Sequence, residues 1–257
     1  ADKDRLENAL STDFESMPPW LAFERRIFVK RDAPDILARA LRTGGERYLG
    51  LIKGETMLIG SATDPYQPAE RRFRVTRRIL EVLADHPGLR IVIITKSPLI
   101  TRDVDLLRRI ARNSQLRVQV SLITVDRELA RRIEPRSPTP DSRLRAIARL
   151  REAGVEVGVN CMPVLPGITD DPAALDELVR RVAEAGAVEI GACALRLDRS
   201  ARLRYLPFIE QEFPELAERY RASYSHGRNV GEKYREGLRE HFAALRAKYS
   251  IGNDTRY

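Results

Sequence analysis

The chain has 257 residues, 43% of them hydrophobic and 32% charged, with a formal net charge of +8. That length suits one α/β barrel or two small domains, and the composition is that of an ordinary globular protein. No apolar run approaches the roughly 18 residues that span a bilayer, and no charged–apolar–small leader is present, so a cytoplasmic protein with no membrane partner is expected.

Residues 1–25 read as an irregular N-terminal segment, with Met17-Pro18-Pro19-Trp20 as a turn. From there short β-branched runs alternate with amphipathic stretches. The runs are Ile27–Val29, Met57–Gly60, Ile91–Ile94, Val118–Leu122, Val155–Asn160 and Val188–Ala194. Between them apolar residues recur at three- and four-residue spacing, as in Val75-Ile79-Leu80-Leu83 and Leu144-Ile147-Leu150. Strands this apolar, alternating with helices, predict a parallel sheet covered by helices in about six β-α units. A dinucleotide-binding sheet should carry a Gly-rich turn after its first strand. The Thr43-Gly44-Gly45-Glu46 stretch follows a helical pattern instead. Polar residues gather after several different strands, the arrangement of a barrel whose chemistry sits at the C-terminal strand ends. The predicted class is α/β, a partial (β/α)6 TIM barrel over residues 26–196, followed by a C-terminal helical extension over 197–257. Within that extension, 203–225 and 229–249 read as helices.

Arg71, Arg72, Arg74, Arg77 and Arg78 crowd one predicted helix. Such a surface attracts nucleic acid or another polyanion. It is equally a solvated helix face, since aromatic residues do not interleave with it as they do in single-strand binders. The two cysteines, Cys161 and Cys193, each lie in a strand-like run without a second Cys or a His at metal-ligand spacing. They read as buried structural thiols in a reducing compartment.

Four clusters at strand ends carry the chemistry. Gly60–Glu70 (GSATDPYQPAE) concentrates hydroxyls, a carboxylate and a phenol between a strand and a helix. There Asp64 or Thr63 could bind an ammonium and Tyr66 could exchange a hydrogen bond, while Pro68 and Glu70 suit helix entry. Lys96 ends the run Ile91–Ile94, at the barrel mouth or on the surface beyond it, and Asp103 reads as the N-cap of the next helix. Ser121 closes a strand ahead of Glu134-Pro135-Arg136, whose Arg136 offers a fork for a carboxylate or a surface pair with Glu134. Asn160–Asp170 reads as a rigid loop leading to a helix near Asp171.

In order, GSATDPYQPAE (60–70), TKSPLITRDVDLL (95–107), VSLIT (120–124), RRIEPRSPTPDSRLRAIARLREAG (131–154) and MPVLPGITD (162–170) resemble the radical S-adenosylmethionine (SAM) proteins related to spore photoproduct lyase. The resemblance implies a six-stranded partial barrel with SAM and a 4Fe–4S cluster at the C-terminal strand ends. SAM cleavage there yields methionine and a 5′-deoxyadenosyl radical that abstracts hydrogen from a substrate, with electrons from an external donor. It places Ser61, Thr63 and Asp64 near the methionyl amine, and Lys96, Ser121 and Arg136 at the ribose and carboxylate. Met162 would face the adenine, and Tyr66 would serve a later hydrogen transfer. The family also needs three cysteines spaced CxxxCxxC ahead of residues 23–30, whereas this sequence has no cysteine before Cys161. The expectation is that these ligands belong to a stretch near the N-terminus outside the sequence. The alternatives are a cluster-less barrel that binds a nucleotide or nucleic acid, and an ordinary barrel enzyme using Lys96 as a Schiff-base nucleophile.

Overall fold

A computed structural model describes residues 28–43 and 49–253. Helices α1 (Ala33–Thr43) and α2 (Leu49–Ile52) lead to strand β1 (Thr56–Ile59). There follow α3 (Pro68–Phe73), α4 (Val75–Ala84), β2 (Arg90–Thr95), a 3-10 turn (Pro98–Asp103), α5 (Val104–Asn113) and β3 (Gln115–Ser121). The chain continues through α6 (Arg127–Ile133), α7 (Pro140–Glu152), β4 (Glu156–Val164), α8 (Pro172–Glu184) and β5 (Glu189–Ala194). It ends in α9 (Arg199–Glu212), α10 (Ala217–Ser223) and α11 (Glu232–Lys248).

The strands form one parallel sheet in the order β1-β2-β3-β4-β5, the α/β partial barrel expected from the alternation. Among the described residues it has five strands, not six. The run Ile27–Val29 is the one that differs: Ile27 lies outside the described residues, and Phe28–Lys30 have no regular structure. There Arg31 N–H already turns back to Val29 C=O at 3.0 Å, and Phe28 is left 53% exposed. A bridge after α11 meets the far edge instead. Ile190 N–H donates to Gly252 C=O at 3.0 Å and Gly252 N–H to Val188 C=O at 2.9 Å, which gives part of the β5 edge a partner.

The sheet has two chemically distinct faces. Ile91, Ile93, Val118, Val120, Val157 and Val159 are buried, and with Leu107, Ile110, Ile147 and Leu150 of the covering helices they form the core. On the other face Arg117, Gln119 and Ser121 of β3 stand in register beside Glu156, Gly158 and Asn160 of β4. Side chains alternate across a strand, so this face is the inside of the partial barrel. At Gly158 even a methyl group would lie 2.6 Å from Glu189 Cγ and 2.7 Å from Gln119 Oε1, so glycine leaves the room those two side chains fill.

Sequence caps fix several helix starts. The side chains of Asp126, Asp171 and Asp198 accept backbone N–H groups at the first turns of α6, α8 and α9. Asp103, expected to do the same for α5, makes no such bond. Its carboxylate is fully buried and instead takes Arg77 at 2.7 Å and Arg102 at 2.8 Å. The arginine-rich helix is in fact two. Arg74 takes a left-handed conformation (φ 50°) between α3 and α4, and buried Glu70 accepts Thr76 N–H at 2.9 Å and Arg77 N–H at 3.2 Å at the start of the second helix. In the C-terminal region the helix read over 203–225 is interrupted at Phe213-Pro214, because the residue before proline is driven out of helical geometry.

Candidate cofactor site

The loops at the C-terminal ends of β1, β2 and β3 meet over the sheet. Gly60, at φ +100°, starts the first loop and lies so close to β2 that a Cβ would sit 2.2 Å from Ile94 C=O, so only glycine fits. The loop is then pinned by Asp64. Its Oδ1 accepts Tyr66 N–H at 2.8 Å and the Thr95 hydroxyl at 2.6 Å, and its Oδ2 accepts Lys96 N–H at 2.8 Å. With three donors already bound, Asp64 shapes the loop and holds it to the end of β2.

Lys96 leaves β2 at this point and its Nζ reaches Glu134 Oε1 at 2.5 Å. The other carboxylate oxygen accepts Arg143 Nη2 at 2.6 Å. Arg143, on α7 and only 2% exposed, also donates through Nη1 to Ser121 C=O at 2.8 Å and through Nε to Pro138 C=O at 3.0 Å. Burial alone would raise the Glu134 carboxyl, but the Lys96 and Arg143 charges outweigh it and hold the group below its ordinary range.

Two adjoining clefts open here. One, of about 550 Å³, is lined by Asp64, Tyr66, Arg71, Lys96, Arg136 and Ser137 among others. The second, of about 720 Å³, shares Lys96, Arg136 and Ser137 and runs on to Arg204, Tyr205 and Phe208 of α9. Of the expected site residues, the structure therefore brings together Asp64, Tyr66, Lys96 and Arg136. Ser61 and Thr63 are exposed on the same first loop but outside the cleft linings. Ser121 and Met162 are half-buried at the ends of β3 and β4, also outside those linings. Met162 precedes a cis proline and lies within β4, which runs on to Val164, four residues beyond its expected end. The rigid segment is thus partly strand. Its loop begins at Leu165, whose N–H donates to the Thr169 hydroxyl at 2.8 Å, while Tyr220 O–H donates to Pro166 C=O at 2.8 Å.

Tyr66 is 1% exposed. Its hydroxyl lies beside the buried Asp103 carboxylate without completing a hydrogen bond, and burial first, then Asp103, pushes its ionisation far above the ordinary range. The ring forms cleft wall, while the oxygen belongs to the Glu70–Arg102–Asp103 cluster beneath it. Lys96, ion-paired with Glu134, suits a carboxylate-binding cation better than a Schiff-base nucleophile, which is usually freed by an apolar pocket. The basic helix also resolves in part: Arg77 pairs with Asp103 and Asp105 and Arg78 with Asp35, while Arg71 lines the cleft.

Arg143 was not singled out in the sequence, although a signal exists. It shares a helical face with Ile147 and Leu150, at spacings of four and seven, where a charge needs a buried partner. Of the two cysteines, Cys161 is fully buried as expected, but Cys193 is exposed, because it faces away from the covering helices near the end of β5. Among the described residues no group of three His, Cys, Asp or Glu side chains converges to hold a metal. The described residues therefore do not fit a 4Fe–4S cluster. The cleft does fit SAM in one respect: the cations Lys96 and Arg136 share a lining beside a mixed polar and apolar wall. Among the described residues, no helix is long and apolar enough to cross a membrane.

Residues 26–188 match the Radical SAM superfamily, and the chain belongs to that superfamily. It is 37% identical, over 93% of its length and 68% of the relative's, to the uncharacterized protein Rv2578c of Mycobacterium tuberculosis. It is also 30% identical, over 56% of the chain and 49% of the relative, to an uncharacterized protein of Methanocaldococcus jannaschii. Among solved structures, spore photoproduct lyase complexed with dinucleoside spore photoproduct superposes with a TM-score of 0.64 at 19% identity, over 89% of this chain. A mutant of that lyase with bound AdoMet and the same dinucleoside gives 0.64 at 18% identity. The chain spans 66% of the length of those lyase chains, and at this identity the likeness shows the fold.

Proposed function

We propose that this chain is the SAM-binding barrel of a radical SAM enzyme that starts hydrogen abstraction from its substrate. The observation that carries the reading is the cleft shared by Lys96 and Arg136 at the C-terminal strand ends, in a chain of this superfamily. A 4Fe–4S cluster, whose ligands would come from outside the described residues, would supply the electron for reductive cleavage of SAM. Lys96 and Arg136 hold the SAM carboxylate, and the adenosyl group extends beyond the cleft lining toward Ser121 and Met162 at the C-terminal parts of β3 and β4. Asp64, with Ser61 and Thr63 on its loop, sets the first wall near the methionyl amine. The Tyr66 ring forms part of the cleft wall. A later hydrogen transfer by Tyr66 would need its hydroxyl to leave the Asp103 side.

Nucleic acid is the second substrate reading, supported by Arg71, Arg136 and Arg204 along the cleft rims and by the dinucleoside carried by the structurally similar lyase. The test is anaerobic reconstitution of the full-length protein with iron and sulfide. A cluster absorbance band and dithionite-dependent SAM cleavage are expected, with SAM affinity about tenfold or more weaker in Lys96→Met, since a charged hydrogen bond contributes on the order of 1.5–3 kcal/mol. A full-length protein that forms no cluster and cleaves no SAM overturns the reading. Salt-dependent filter binding to a short DNA tests the substrate arm.

A further inference from the structure

We infer that Arg143 is a positioning residue: through Glu134 it sets where the Lys96 ammonium stands at the cleft. The inference rests on the SAM reading above for its use, but on geometry for its existence. Lys96 follows β2, Glu134 follows α6, and Arg143 lies in the first turns of α7, so three chain segments meet in one line of charge. Each oxygen of the Glu134 carboxylate is committed, one to Lys96 at 2.5 Å and one to Arg143 at 2.6 Å. Arg143 is itself locked from two other directions, by Ser121 C=O and Pro138 C=O. A lysine at a strand end has four rotatable bonds and would otherwise sample many positions. Here the flexible cation is tied to a buried, multiply hydrogen-bonded guanidinium by a carboxylate that lies between them.

The burial gradient supports the direction of control. The Arg143 side chain is 2% exposed, that of Glu134 13% and that of Lys96 42%, so the relay runs from the core to the cleft. Its formal charge is two cations against one anion, which leaves a net positive charge presented beside Arg136. The same guanidinium grips the carbonyl of Ser121, so it also fixes the end of β3 relative to Lys96. Arg143 is not itself part of either cleft lining; it reaches them only through Glu134 and Pro138.

The experiment uses the full-length reconstituted protein and two readouts. The first is the NMR signal of Lys96 after ¹³C-dimethylation, a modification that keeps the charge, with the signal identified by its loss in Lys96→Arg. The wild-type signal should be resolved and should follow the protonation of Glu134 in acid. In Arg143→Lys, which keeps the charge and loses the fork, its acid midpoint should move up toward the ordinary carboxylate value. In Glu134→Gln the signal should collapse onto those of the exposed lysines. The second readout is the equilibrium affinity for SAM, expected to fall about threefold or more in Arg143→Lys and in Glu134→Gln, as one weakened charged hydrogen bond implies. Glu134→Gln serves where Arg143→Lys fails to fold. A Lys96 signal and a SAM affinity both unchanged in the two variants would overturn the relay. A signal that responds while Lys96→Met leaves SAM binding intact would support the relay and sink the SAM reading of the cleft.

Discussion

The two faces of the sheet are made from the same strands yet obey different rules. On the helix-covered face Ile93, Val118, Val157 and Val159 are completely buried among apolar neighbours. On the inner face Arg117 pairs with Glu189 and with Glu156, Gln119 donates to Glu189 at 2.5 Å, and Asn160 Oδ1 and Gln119 Oε1 are buried without a partner. The outer face is built to hold the fold together. The inner face keeps polar groups that a purely structural sheet would replace with apolar ones, because unsatisfied buried polar atoms cost free energy. The two-residue period of the strand thus separates an apolar, stabilising face from a polar one, and a test of one face should leave the other largely unmoved.

The largest expected effect breaks this comparison most directly. Ile93→Ala removes a fully buried side chain between β2 and its helices and should cost about 2–5 kcal/mol, as large-to-small core substitutions do. Gln119→Met, close in volume on the opposite face, removes an orphaned oxygen but also a donor to the buried Glu189 carboxylate, and should cost about 1–3 kcal/mol. Urea unfolding of both variants decides it. Equal losses would mean the inner face is as much a part of the stabilising core as the outer one.

The strand residues explain how much could be read in advance. The period of β3, Leu116-Arg117-Val118-Gln119-Val120-Ser121, already alternates apolar and polar. Taken as a nearly continuous apolar run, it gives the parallel sheet but hides the polar interior. Strand positions and helix starts were legible because they depend on local preferences, as at Asp171 and at Pro68. The cleft was legible in part, since Lys96, Asp64, Tyr66 and Arg136 all follow strands or the loops after them. What local sequence could not reveal is pairing across distance. Asp103 looks like a helix cap until Arg77 arrives from elsewhere in the chain and joins its neighbour Arg102 on the same carboxylate. Arg143 looks misplaced until Glu134 and two carbonyls surround it. The burial of the Tyr66 hydroxyl beside Asp103 is likewise set by residues distant in sequence.

A smaller effect sharpens the contrast at the cleft itself. Glu134 is held below its ordinary value because Lys96 and Arg143 outweigh its burial. A carboxylate lowered in the folded state stabilises the fold above its unfolded value, and that contribution is lost as pH falls through the folded value. Stability should therefore decline below about pH 4.5. Asp105, lowered mainly by its bond to Arg77, and Asp141, lowered mainly by Arg181 and Arg127, contribute to the same decline. Melting temperatures of wild type and Glu134→Gln across this range isolate the share of the relay: the variant should lose less on acidification. Parallel curves would show that Glu134 carries no linkage of its own.

The smallest effect uses the cysteines, which lie on adjacent strands but in opposite environments. Cys161 is packed into the core, and burial, aided by Cys193, pushes its thiol up to about 12. Cys193 is exposed, raised by partial burial and pulled back by Arg196. Since the thiolate is the reactive form, a small alkylating reagent near neutral pH should modify Cys193 in the native protein and reach Cys161 only when the core opens. For Cys161 the sign runs opposite to that of Glu134. Its raised value favours the folded state below the unfolded thiol value of about 8.5, and the advantage drains away between there and about 12. Cys161→Ala should therefore flatten the alkaline loss of stability, at the cost of a small cavity, whereas Cys193→Ala should leave it nearly unchanged. Rapid native labelling of Cys161 would mean that the β4 end opens, and the division between an apolar, closed outer face and a polar inner one would then have to be redrawn at that strand.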